Sequence, residues 1–390
     1  RQSAADDSGD GYTKATAVKT VDRAYAQLAL QMANAPAGTE GTVILLEDYA
    51  ILGQSIEFPT CSFPVTITSQ TGNEGFIYSP TGAVKQEYRT IAFHGETTLE
   101  NIKLHYTSGK LIAGMKANGH KLTIGENVDV VVPENGYYLN IYGGTYLFGD
   151  DVASTDLTIL SGTWRNAYVG GFGKKVLGDA HLTVKNANFT AKIMAQYSGG
   201  IRGDIYIHLE NTNVGSDLHG GGAKDNVDGN VYITLGEGVT APNIYAGNTT
   251  SGNVLGTVTV IADGADLSKI AFHGTAKGTG TVGGAVMQLN RDVDYAITVD
   301  PTVELDLNGC DITGKLTVDG TLTVYDSATD DYDVSDGKYG EITGTVTGNL
   351  QAAEGYIAAA DGFHKFGGQY ISHVNLRTGN AGIYYTATFL

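Results

Sequence analysis

The sequence predicts an all-β protein, a right-handed parallel β-helix of about 25–26 residues per coil with an N-terminal capping helix. Three observations predict it. A motif of Asn, an apolar residue and Tyr returns at a fixed spacing, apolar and polar residues alternate over short runs, and Gly-, Asn- and Asp-rich turns separate those runs. Periods of this size mark stacked structural coils, each burying its apolar face against the next.

The register runs through Asn140, Asn166, Lys192, Asp217, Asn243 and Lys269, in steps of 26, 26, 25, 26 and 26 residues. The next residue is apolar every time: Ile141, Ala167, Ile193, Leu218, Ile244 and Ile270. After it come Tyr142, Tyr168, Met194, His219, Tyr245 and Ala271. Later in each coil sits a second apolar pair, as in Leu157/Ile159, Leu182/Val184, Ile205/Ile207, Val231/Ile233 and Val258/Val260, with polar or outward residues between. A β-propeller blade needs a longer repeat, and a leucine-rich repeat needs a consensus that is missing. Strand alternation therefore points Ile141 and its equivalents inward. It points the Tyr column outward, at one strand spacing of ~4.8 Å.

Taken in order, residues 1–40 carry "KATAVKTVDRAYAQLALQMA", helical in period and placed to cap the open end of the stack. Residues 41–364 are the β-helix. "GTVILLEDYAI", "FPVTITS", "TTLENIKLHY" and "HKLTIGENVDVVV" are its early coils, and "VELDLNGCDITGKLTVDGTLTVYDSA" supplies late strands between short NG and DG turns. Residues 365–390 hold two strand-like runs around "TGNAG", read as the start of a further β-domain or a strand exchanged with a neighbour.

Composition narrows the function classes. Hydrophobic content of 42% with 17% charged residues belongs to a folded chain. The net charge of −18 disfavours nucleic acid and anionic membrane surfaces. No stretch approaches the ~20 apolar residues of a membrane span. The chain begins "RQSAADD" without Met, as expected of a processed chain whose export signal has been removed. Cys61 and Cys310 lie too far apart in a stack of coils to form a disulfide framework.

The run "DGYTKATAVKTVDRAYAQLA … GTVILLEDYAI … PVTITS", the recurring "YGG" and "VGG" coils, and "LDLNGCDITGKLTVDGTLTVYDSATDDY" resemble large secreted β-helix surface proteins of Gram-positive anaerobic bacteria. "VNLRTGNAGIYYTATF" resembles the segment joining such helices to a following domain. The resemblance implies the pectate-lyase-like β-helix architecture and an extracellular, secreted or cell-wall-attached location. The fold is shared by lyases, hydrolases, tailspikes and adhesins, so fold alone decides no activity.

Three constellations bear on chemistry. The ordered polygalacturonase motifs are absent: "NTN" at Asn211, "FHG" at Phe93 and Phe272, and "DD" at Asp150 and Asp330 stand out of order. Asp156, His181, Asp204 and Asn230 fall at like positions before the second apolar pair, which sets His181 between two carboxylates. That arrangement suits proton transfer, and equally a polar turn ladder. The outward column, Tyr142, Tyr168, His219 and Tyr245 with Tyr146 and Trp164 nearby, suits stacking of sugar rings, or stabilises the coils by itself. "DSATDDYDVSDG", with Asp326, Asp330, Asp331, Asp333 and Asp336, offers oxygen ligands for Ca²⁺, or ordinary turn chemistry. No cofactor is required. His94, His105, His120, His208, His273, His364 and His373 show no ligand spacing.

The expectation is a non-catalytic extracellular spacer or adhesin binding a polysaccharide, a glycan or a host surface protein, without membrane insertion. The alternatives are a polysaccharide lyase or glycoside hydrolase using Asp156, His181 and Asp204, and a fibre subunit that self-assembles through coil ends or the C-terminal strand.

Overall fold

The computed structural model of the chain is a parallel β-solenoid with a single α-helix near its N-terminus among the described residues. The structure describes residues 1–390 except 2, 5, 52–55, 79–88, 107–112, 133–138, 148, 329–339, 341, 353–356, 360–361, 365–372, 379–380 and 387–390. It divides into two compact units. The first is Arg1–Ile207 with Thr212–Gly215, and the second is His208–Asn211 with Ser216–Leu390.

The first unit opens on the expected helix, α1 (Val21–Met32). Thr20 caps it, its hydroxyl accepting the Arg23 amide at 3.2 Å and satisfying one orphan donor of the first turn. Val21, Tyr25 and Leu28 share one face and are buried. Leu28 packs so closely on Gly41 that a Cβ there would lie 2.6 Å from its Cδ2. Gly41–Leu45 is the edge strand of the sheet, so the helix covers the start of the stack.

Each coil above the cap contributes two or three short strands, all paired parallel to the coil below. One sheet runs through Gly41–Leu45, Val65–Ser69, Thr97–Leu99, Lys121–Ile124, Thr155–Ile159 and Ala180–Lys185. Another ends in Ala113–Lys116, Asn140–Tyr142, Ala167–Tyr168 and Ile193–Met194. In-register side chains form inner columns: Leu122, Leu157 and Leu182 lie on one another, as do Ile124, Ile159 and Val184, all at most 1% exposed. Asn101, Asn118, Asn127 and Asn186 take positive φ at coil corners, a conformation Asn tolerates because its short amide bonds locally.

The second unit keeps the inner column, with Ile233, Val260, Met287, Leu305 and Val324 in register and at most 2% exposed. Its coils shorten, because Met287 pairs with Leu305 and Leu305 with Val324, steps of 18 and 19 residues. The two DG and NG signals resolve differently. Asn308 and Gly309 both take positive φ in a tight turn. Gly320 (φ 127°) instead lies within the single strand Leu316–Tyr325, whose first part pairs with Ile297–Val299 and whose last part pairs with Glu304–Asp306. The C-terminal runs form an antiparallel hairpin, His373–Thr378 with Ala381–Thr386. No helix among the described residues is long and apolar enough to cross a membrane.

Candidate functional site

The recurring Asn-apolar-Tyr motif has a structural meaning in each position. Asn140 and Asn166 are buried, the amide of Asn166 donating to Asn140 Oδ1 at 2.9 Å while its own oxygen accepts the Lys192 N–H at 3.0 Å. Ile141 and Ala167 face the interior. Tyr142 and Tyr168 point away from it and stack at 4.8 Å with 4° between ring planes, the expected strand spacing.

Their exposure differs from the sequence expectation. Tyr142, Tyr168 and Met194 are only 3–6% exposed, because Tyr146, Phe172 and Tyr197 pack over them as a second aromatic row. Tyr146 and Phe172 come from the chain just after each strand, where paired glycines let one coil's backbone lie close on the next; a Cβ at Gly171 would lie 2.5 Å from the Thr145 carbonyl. Burial pushes the Tyr168 phenol up to about 12 and that of Tyr142 higher still. Trp164 is fully buried, its indole N–H bonded to the Ser161 carbonyl at 3.0 Å. These rings form an outer core and cannot receive a ligand face-on. Of the first unit's expected binding residues, only Tyr146 keeps partial exposure.

The expected carboxylate–histidine–carboxylate column is also rearranged. Asp156 and His181 are strand residues in register with each other, as anticipated. Asp204 is not the third member. The Ala180 amide bonds the Asp204 carbonyl, and the ring of Tyr206 stacks on His181 at 4.8 Å and 6°. Asp204 instead donates its amide to Asp179 Oδ1 at 2.9 Å. In the second unit, Asn230 accepts the Thr257 amide at 3.0 Å. His181 therefore faces one carboxylate and one aromatic ring, because the coil closing at Asp204 is one residue shorter than the expected register.

The second unit holds a ladder that the sequence register missed. His219 stacks on Tyr245 at 5.3 Å, and Tyr245 on His273 at 4.8 Å. The third member is His273, not Ala271, since Asn243 pairs with Ala271 and Tyr245 with His273. The shift comes from a 3-10 turn at Leu267–Lys269, capped by Asp266, that lengthens this coil by two residues. Recognising Asp-Leu-Ser-Lys as a capped turn would have placed His273 correctly.

Charges close both ends of this ladder. His219 is fully buried, with Nε2 at 3.7 Å from Asp217 Oδ2. Lys277 Nζ bonds the same oxygen at 2.8 Å and lies 5.2 Å from the centre of the Tyr245 ring; its bond to Asp217 raises the Lys277 pKa. At the far end His273 Nδ1 meets Asp300 Oδ2 at 2.8 Å. Asp300 Oδ1 accepts the Thr302 amide at 2.9 Å and its hydroxyl at 2.6 Å. Partial burial opposes ionisation of Asp300, but the bonds from Thr302 and His273 prevail and hold its pKa below the ordinary value. His273 and Asp300 also line a cleft of about 640 Å³, between Ala271–His273 and residues 296–301. That volume falls within the ~300–1,000 Å³ of small-ligand sites.

Of the calcium candidates, Asp326 is fully buried. It accepts the amides of Gly309 and Ala328 at Oδ1 and of Gly340 at Oδ2, which ties three chain segments together. Asp330, Asp331, Asp333 and Asp336 lie outside the described residues. Among the described residues, no three His, Cys, Asp or Glu side chains gather as a metal site would need.

This chain matches no protein-family model, no curated protein and no solved structure. Its function is therefore argued from the geometry above.

Proposed function

We propose that the protein is a non-catalytic extracellular surface protein, a β-helical spacer or adhesin that binds a glycan or a host protein through the outer face of its coils. The observation that carries this reading is the state of the groups lining the cleft. A glycosidase acid must hold a proton at working pH, which needs a raised pKa. Asp300 is held the other way, ionised by Thr302 and clamped to His273. Most other ionisable groups of the ladders are likewise engaged in fixed stacks and ion pairs, the pattern of a rigid recognition surface. The strong negative charge and the resemblance to secreted surface proteins support an extracellular setting.

Native affinity electrophoresis tests it, with the purified chain run through gels carrying plant, mucin and bacterial polysaccharides. Each mixture is assayed in parallel for new reducing ends and unsaturated products. The expected outcome is retardation by at least one polymer with no product. Products from any glycan would overturn the proposal and make Asp156 and His181 the first residues to mutate.

A further inference from the structure

The cleft of the second unit has a shape and a chemistry that narrow its ligand. Its floor follows from strand alternation. Phe272, Ile297 and Val299 are buried, so the intervening Ala271, Ala296 and Thr298 turn outward. The two-residue shift at Leu267–Lys269 sets Ala271 beside His273, so the hollow opens where the stacked ladder ends. The floor is thus small and nearly apolar, flanked by the rings of Pro242 and Pro301.

Around that floor stand hydrogen-bonding groups of both kinds. His273 is committed to Asp300 through Nδ1, which directs the opposite ring nitrogen, Nε2, away from that carboxylate. Thr298 offers a hydroxyl that both donates and accepts, and Asp319 is an exposed carboxylate that accepts. Lys269, the cation of the cleft, is bonded to Asp266 at 2.7 Å. The local field is therefore negative, within a chain of net charge −18.

Resting on the glycan reading above, we propose that this cleft is a binding site for a neutral pyranose unit of a polysaccharide. The sugar's C–H face lies on Ala271 and Ala296, and its hydroxyls bond His273, Thr298 and Asp319. A pyranose needs a flat apolar seat and an edge of mixed donors and acceptors, and the cleft supplies both. Uronates and sulfated sugars are rejected, because Asp300 and Asp319 repel them and Lys269 is already paired.

The test is isothermal titration of the full chain with neutral, uronic and amino-sugar oligosaccharides, repeated with Ala296→Tyr and His273→Ala. Ala296 is exposed, so the new ring fills the cleft without disturbing the core. The expected result is binding of neutral oligosaccharides, weakened about tenfold or more by Ala296→Tyr and about fivefold by His273→Ala. Circular dichroism should match for all three proteins. Undiminished neutral-glycan binding by Ala296→Tyr would overturn the cleft as the site while leaving the adhesin reading intact. Uronates binding as tightly as neutral sugars would overturn the charge argument. Failure of the unsubstituted chain to bind any oligosaccharide, together with no retardation in the polysaccharide gels, would remove the glycan reading itself.

Discussion

Tyr142 and Tyr168 show how a residue's meaning changes once its surroundings are known. Both point away from the inner core, yet both phenols are buried, and both titrate above their ordinary value. The linkage has a definite sign. An unfolded tyrosine ionises near ~10, so the stabilisation from these neutral buried phenols is complete below that pH. It is lost as pH rises through about 12 for Tyr168. Absorbance at 295 nm followed alongside far-ultraviolet dichroism should show part of the phenolate signal appearing only as β-structure is lost. Tyr168→Phe should move the onset of alkaline unfolding upward. Full ionisation of all 23 tyrosines with the dichroism unchanged would contradict the burial described here.

At the scale of the element, two columns share the work of holding one coil on the next. The inner column is aliphatic and fully dry, as at Leu157 between Leu122 and Leu182. The outer column is aromatic and only half covered at its rim, where Phe172 stacks on Tyr197 at 4.3 Å. Leu157→Ala should cost about 2–5 kcal/mol, since it leaves a cavity among fixed neighbours. Phe172→Ala should cost less, about 2 kcal/mol, since its partly exposed site relaxes and loses chiefly ring contacts. Chemical denaturation followed by Trp164 fluorescence reads both, because that indole is fully buried in the same unit. Equal destabilisation would mean the outer row bears as much of the fold as the inner one.

At the scale of the whole molecule, the N-terminal helix decides how the stack ends. Gly41–Leu45 has a parallel partner on one side only, and α1 lies against it through Leu28. Deleting residues 1–33 should bare that edge and the Phe58 side chain, which packs at 5.7 Å on Tyr25. The truncated chain should associate with itself in a concentration-dependent way, read by light scattering during size-exclusion chromatography. A truncated chain that stays monomeric would show that the first coil protects its own edge.

The sequence by itself determined the solenoid, its strand alternation, the inward Ile141 column and the capping helix. These are set by local periodicity, and each coil repeats the environment of the last. Two steps between like residues escaped it, at Asp204 and at Ala271, because an insertion or deletion at a coil corner leaves every strand pattern intact while shifting partners. Burial of the tyrosines escaped it for a different reason. Alternation tells which side of a strand a ring leaves from, but not whether another segment folds back over it. Only the tertiary structure decided that the outward column is an outer core, that His273 and not Ala271 ends the second ladder, and that the accessible polar groups gather at His273, Asp300 and Thr298. Those facts depend on contacts between residues about 25 or more apart in the chain, which no local pattern encodes.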